Sequence, residues 1–207
     1  MRDAGIGRLL VAALHQGIAD ALPDRLEFYE AWLNPRGLRD GTIGLAPLNA
    51  VLSFLRTEGE AVYTAVSSRA GAYAGDWTID ELPPWRRRAI EALPAALKRR
   101  AAIRVARSLI GRAYSGSRAR SRFRRGVGQL DVRGSIFCGV RTPTAYPLCR
   151  FYASAVAQVF ARLDIEAEAA VIKCHATGEP FCHVQILMGS SLDARRAALP
   201  PHGEPAA

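Results

Sequence analysis

The hydrophobic positions of the first half recur with a helical period. Leu45, Leu48, Leu52 and Leu55 fall at i, i+3, i+7 and i+10 and make one apolar stripe. Residues 5–21 and 24–33 give weaker helical patterns, separated by Pro23 and closed by Asn34-Pro35. Val62, Ala65 and Ala70 predict a further helix over 58–74, ending before Gly75. Pro83-Pro84 mark a break, after which 94–112 predicts a helix with Leu97, Ala101, Val105 and Leu109 on its apolar side and Arg100, Arg104 and Arg107 on another. Residues 115–126 carry no apolar period and read as an exposed basic connector. After Gly128 the period drops to two. Leu130, Val132, Ile136 and Cys138 alternate with Asp131, Arg133, Ser135 and Phe137, predicting a half-buried strand with Gly134 on its apolar side. A helix over 148–163 keeps Ala153, Val156, Val159 and Phe160 in register, and strands over 167–175 and 181–187 flank the turn Ala176-Thr177-Gly178-Glu179-Pro180.

These elements predict an α+β fold in which a helical N-terminal half packs on a small antiparallel sheet. One domain is expected over 1–188. It comprises a helical part (1–80), a basic helical and connector segment (83–126) and a cysteine-containing strand-helix-hairpin core (128–188), with a loosely ordered tail over 189–207. Hydrophobic residues make up 49% and charged residues 23%, which excludes general disorder.

Charge changes the picture in one place. The net charge is +9, and Arg86 to Arg125 holds 14 basic residues against a single acid, Glu91. Such a segment points either to an anionic partner or to a solvated basic face. Tyr114 and Phe123 are its only stacking aromatics after the 94–112 helix, so sequence-specific reading of nucleic acid is not expected. The apolar run Leu9–Leu14 is shorter than an export signal, and no stretch approaches the ~20 apolar residues of a membrane span. A cytoplasmic location follows as the expectation, where cysteines serve as thiols or metal ligands rather than disulfides.

All four cysteines, Cys138, Cys149, Cys174 and Cys182, lie within 45 consecutive positions. If Cys174 stands opposite Cys182 in the hairpin, Ala170, Ile172 and Cys174 share a face with Cys182, Val184 and Ile186. Lys173, His175, His183 and Gln185 then take the other face. Cys138 is on the apolar side of its strand by the same parity, and Cys149 opens the helix that must cover the sheet. Four thiolates around one ion are what zinc prefers. The intervals of 10, 24 and 7 residues lack Cys-x-x-Cys pairs, so four separate buried thiols are the competing reading. His175 or His183 would replace Cys138 as fourth ligand if the pairing is bulged.

The run from Asp131 to Cys138, Cys149 opening a helix, and Ile172-Lys173-Cys174-His175-Ala176-Thr177-Gly178-Glu179-Pro180-Phe181-Cys182 resemble the C-terminal half of 4-vinyl-reductase domains. The Cys-x-Ala-x-Gly-x-x-x-Cys element is the most specific part, and the likeness covers about 60 residues. The resemblance implies a fold like that of the TRAPP vesicle-tethering subunits. It also implies a metal held by Cys149, Cys174 and Cys182, the family's three sulfur positions in its phenol-sensor relatives. The family's acidic ligand falls at Val171, which cannot bind metal, and Cys138 stands as the replacement.

The resemblance further implies a binder of a hydrophobic or anionic small molecule, such as a tetrapyrrole or a lipid, braced by zinc, with a homodimer as the expected assembly. A closed four-sulfur site has no open position for water, and the sequence holds no Ser-His-Asp pattern or glycine-rich phosphate loop, which argues against an enzyme. Two alternatives stand beside this reading. One is a reductase or accessory factor in tetrapyrrole biosynthesis of the bacteriochlorophyll type, with the cysteines holding an iron-sulfur cluster. The other is a TRAPP-like interaction protein whose basic helix meets an anionic membrane surface.

Overall fold

A computed structural model describes residues 6–33, 44–124 and 126–198. The chain begins with helix α1 (Arg8–Ala21), a short 3-10 turn (Pro23–Arg25) and α2 (Leu26–Leu33). Pro23 sits at the break because its ring fits a first helical turn but not a helix interior. Helix α3 (Leu45–Thr57) buries Leu48, Val51, Leu52 and Leu55, as the leucine stripe requires, while Leu45 stays on the rim.

Helix α4 (Glu60–Asp80) runs on through Gly75, where the sequence pattern predicts an end. The reason is tertiary. A Cβ on Gly71 would stand 2.3 Å from the carbonyl oxygen of Phe151, and one on Gly75 would stand 2.7 Å from that of Ala155. The two glycines, four residues apart, clear a groove along α4 in which helix α7 (Arg150–Ala161) lies. Gly17 of α1 makes the same close approach to Val66 on the other side of α4. Arg162 and Gln158 then clamp the pair of helices to Asp76, at 3.0 and 2.8 Å.

Pro83-Pro84 open a helix as well as ending one, because α5 (Pro84–Glu91) starts on the second proline. Helix α6 (Ala95–Ala113) buries Ala102, Val105, Ala106, Leu109 and Ile110. Leu97, expected on the apolar side, is 47% exposed.

The sheet has four strands, β1 (Arg118–Arg124), β2 (Val127–Arg133), β3 (Ala167–Lys173) and β4 (Cys182–Met188), in the order β1-β2-β4-β3 with every pair antiparallel. The fold is therefore α+β, with helices on one face of a small antiparallel sheet. Ala119, Leu130, Val132, Cys182, Val184 and Ile186 point to the covered face. Gly128 lets Ile103 of α6 lie against that face, since a Cβ there would be 3.0 Å from its Cδ1.

Three expectations are corrected. The stretch taken for a basic connector contains strand β1, whose arginines alternate with the half-buried Ala119, Ser121 and Phe123. That period of two is visible in the residues, but alternation of arginine with small side chains does not look apolar. Strand β2 ends at Arg133 rather than continuing to Cys138. Gly134 turns the chain with φ +68° and its Cβ position lies 2.5 Å from the Gly116 carbonyl oxygen, so the next residues fold into a 3-10 turn (Ile136–Cys138). Finally, a bulge in β3 between Val171 and Lys173 reverses its parity. Val171 stands opposite Val184 and faces inward, while Ile172 is 51% exposed.

Where a loose tail is expected from Gly189, the chain continues in helix α8 (Ser190–Ala198), with Leu192 buried. The rest of that tail, residues 199–207, lies outside the described residues. No helix among the described residues is long and apolar enough to cross a membrane.

Candidate metal centre and the cleft beside it

The four cysteines reach the same point by three local devices. Cys138 closes the 3-10 turn that Gly134 initiates, where Phe137 stacks on Phe151 with centroids 4.8 Å apart. Cys149 occupies the N-cap position of α7, and the preceding Leu148 is held by a hydrogen bond to its carbonyl from the buried Tyr63 hydroxyl of α4, 2.9 Å. Cys174 and Cys182 flank the hairpin turn. There Thr177 donates to the Cys174 carbonyl through its amide at 3.1 Å and its hydroxyl at 2.9 Å, and Gly178 adopts φ +97°. Beyond the bulge Lys173 pairs with His183, which restores the expected opposition of Cys174 and Cys182.

The four sulfurs lie within 4.8 Å of one another and all four residues are buried. Cys138 Sγ is 3.4 Å from both Cys174 Sγ and Cys182 Sγ, and Cys149 Sγ is 3.4 Å from Cys174 Sγ. A tetrahedron of sulfurs bonded at ~2.3 Å to one zinc has edges of about 3.8 Å, so the observed spacing brackets that of a single ion. The His175 amide donates to Cys182 Sγ at 3.4 Å, the kind of contact that stabilises a thiolate.

Four thiols this close cannot ionise independently. Hydrogen bonds from Cys138, and then from Cys149 and Cys182, draw the Cys174 thiol far down. The Cys138 neighbour, with burial adding to it, drives Cys149 and Cys182 far up. A cation at the centre would remove this conflict, since each sulfur would then face positive charge.

Neither histidine joins the cluster. His175 is exposed and its Nδ1 meets the Glu179 carbonyl at 2.7 Å, and His183 on the open face of the sheet pairs with Asp131 at 2.6 Å. Val171, the position of an acidic ligand in the resembled family, is packed against the apolar core.

The loop between Cys138 and Cys149 does more than join two cysteines. Thr144 ties it to the hairpin, its amide donating to the Ala176 carbonyl at 2.7 Å. With α3 it encloses a cleft of about 700 Å³ lined by Asn49, Ser53, Arg56, Arg141, Thr144 and Tyr146 among others. Arg56 also donates to Ser53 at 2.8 Å. The lining is polar and carries two guanidiniums without a carboxylate, which suits a ligand with oxygen acceptors. Sequence reading missed this cleft, because its walls are contributed by segments some 90 residues apart.

No family model matches the chain, and no curated protein matches it. Among solved structures, the fold is similar to that of the phenol-responsive sensory domain of the transcription activator PoxR, crystallised with phenol. The two chains share 14% identity with a TM-score of 0.54, over 77% of this chain and 83% of that one.

Proposed function

We propose that this protein is a small-molecule-binding module of the 4-vinyl-reductase type, in which Cys138, Cys149, Cys174 and Cys182 hold one structural zinc ion. The observation that carries the reading is the convergence of four buried sulfurs, from three backbone segments, within 4.8 Å. Independent core thiols have no reason to meet, and thiolate-only donors suit zinc. A zinc ion held by these four sulfurs would supply charge neutralisation and a cross-link. The residues do the rest. Tyr63 fixes the approach to Cys149, Thr177 fixes the turn at Cys174, and Thr144 fastens the loop between Cys138 and Cys149 to that turn.

The same loop walls the cleft beside α3, so a bound metal would set the shape of the ligand site. Arg56, Arg141 and the Ser53 and Thr144 hydroxyls favour a ligand bearing carboxylate, phosphate or other oxygen acceptors. Small-molecule recognition is supported by the likeness in fold to a sensory domain that responds to phenol. A tetrapyrrole or lipid with acidic groups is one chemistry that fits. An iron-sulfur cluster is the less favoured occupant of the four sulfurs, because several irons and sulfides would hold the ligand sulfurs further apart than one ion does.

The test is elemental analysis of protein purified without an affinity tag. About one zinc per chain is expected, with loss of the metal when any one of Cys138, Cys149, Cys174 or Cys182 is changed to serine. Metal-free wild-type protein of full stability would overturn the metal reading. Native mass spectrometry of the same samples checks for a co-purified ligand, and Arg56→Gln with Arg141→Gln should release it.

A further inference from the structure

The densest positive charge of the chain plays no part in the sulfur cluster. Helix α6 exposes Arg100, Arg104 and Arg107 on one stripe, with Leu97 in line. Strand β1, at the edge of the sheet, exposes Arg118, Arg120, Arg122 and Arg124. Between α6 and β1 lies a cleft of about 350 Å³ lined by Arg100, Ile103, Arg104, Ser121, Arg122 and Phe123. Arg122 pairs with Gln129 and so belongs to the open face of the sheet, at the rim of the cleft. Its lining has no carboxylate. Among the described residues none of Arg100, Arg104 and Arg122 enters an ion pair, whereas Arg25, Arg87, Arg112, Arg162 and Arg195 all do.

The uncompensated guanidiniums of Arg100 and Arg104 raise the positive potential of one concavity, and water screens them less there than on an open surface. A guanidinium fork matches the paired oxygens of a carboxylate or phosphate. Ile103 and the half-buried Phe123 give the cleft an apolar side beside its charged one. A charged rim over an apolar wall is complementary to a molecule with an acidic head and an apolar body.

We infer that the cleft between α6 and β1 binds the carboxylate or phosphate group of an amphipathic small molecule, with Arg100 and Arg104 on its oxygens and Ile103 and Phe123 against its apolar part. A planar membrane offers the same headgroups to ridges rather than to a concavity. A nucleic-acid strand would follow the whole row from Arg118 to Arg124 and would find one ring to stack on, Phe123. The inference is independent of the sulfur cluster and of the cleft beside α3.

The experiment is titration calorimetry of the full chain with decyl phosphate and decanoate, below their micelle concentrations, with 1-decanol as the neutral control. Both anions should bind saturably and decanol should not. The double variant Arg100→Gln/Arg104→Gln should weaken binding at least about tenfold with an unchanged melting temperature, because these side chains are exposed. Arg120→Gln/Arg122→Gln, which removes equal charge from the open face of the neighbouring strand, should change it by less than about threefold. Equal losses from the two double variants would reveal diffuse charge attraction and overturn the inference. So would loss only in Arg56→Gln/Arg141→Gln, or binding confined to phosphatidylglycerol vesicles or to a thymidine oligonucleotide.

Discussion

At the scale of single residues the chain is governed by close approaches that only certain side chains permit. Gly71 is an instructive case, because any Cβ there meets the Phe151 carbonyl oxygen at 2.3 Å, a backbone atom that cannot swing aside. Gly71→Ala should therefore cost about 1–3 kcal/mol or more by overpacking, read as a lowered denaturant midpoint. Gly111, also helical, has nothing within 4 Å of its Cβ position. Gly111→Ala should stabilise by up to ~1 kcal/mol in the same assay, since alanine loses less conformational freedom on entering a helix. If the two variants moved stability in the same direction, the tight seating of α7 on α4 would be wrong. Both residues read alike in the sequence, where each is a glycine inside a helical pattern.

At the scale of elements, the turn between β3 and β4 positions two of the four sulfurs. Gly178 there has φ +97° with open space around its Cβ, so a substitution meets backbone strain without a clash. Gly178→Val should cost roughly 1–3 kcal/mol and Gly178→Asn less, because asparagine tolerates the left-handed region better. If the turn aligns Cys174 and Cys182 for a metal, the valine variant should also release zinc to a chelator faster than wild type, and a chromogenic chelator assay measures this directly. Strand β1 is the other instructive element. An edge strand of four exposed arginines discourages pairing with a second sheet edge, so its charge serves the solubility of the fold as well as any ligand.

At the scale of the whole molecule, three buried tyrosines make the fold sensitive to alkali. Burial, with the Glu58 hydrogen bond adding to it, pushes Tyr29 up to about 12, and burial drives Tyr63 and Tyr152 higher still. A phenol whose folded pKa is raised contributes stability that is fully present below the unfolded value near 10. That stability is lost as pH rises towards the folded value, because the unfolded chain releases its protons first. The melting temperature should hold up to about pH 10 and then fall steadily towards pH 12, with the tyrosinate absorbance of these three residues appearing together with unfolding. Tyrosinate signal from these residues in a fully folded protein would contradict their burial. Metal removal acts at the same scale. Ligation energy is also folding energy, so a strong chelator should lower the melting temperature and excess zinc should restore it.

The sequence by itself determined the helical first half, the switch to a period of two after Gly128, the α7 helix and the hairpin. Each of these depends on local periodicity, which a stripe such as Leu48, Leu52 and Leu55 displays without reference to the rest of the chain. It also brought four cysteines under suspicion of sharing an interior, though partly on mistaken geometry. Cys138 was placed by strand parity but arrives through a 3-10 turn, and β3 reaches the right opposition of Cys174 and Cys182 only across a bulge. Tertiary structure alone decided that Gly71 and Gly75 are seats for α7, that Gly75 does not end its helix, and that the arginine-rich connector is an edge strand. It alone assembled the clefts at α3 and at α6–β1. These features depend on contacts between distant segments, and no pattern confined to one stretch of chain encodes what another stretch will bring against it.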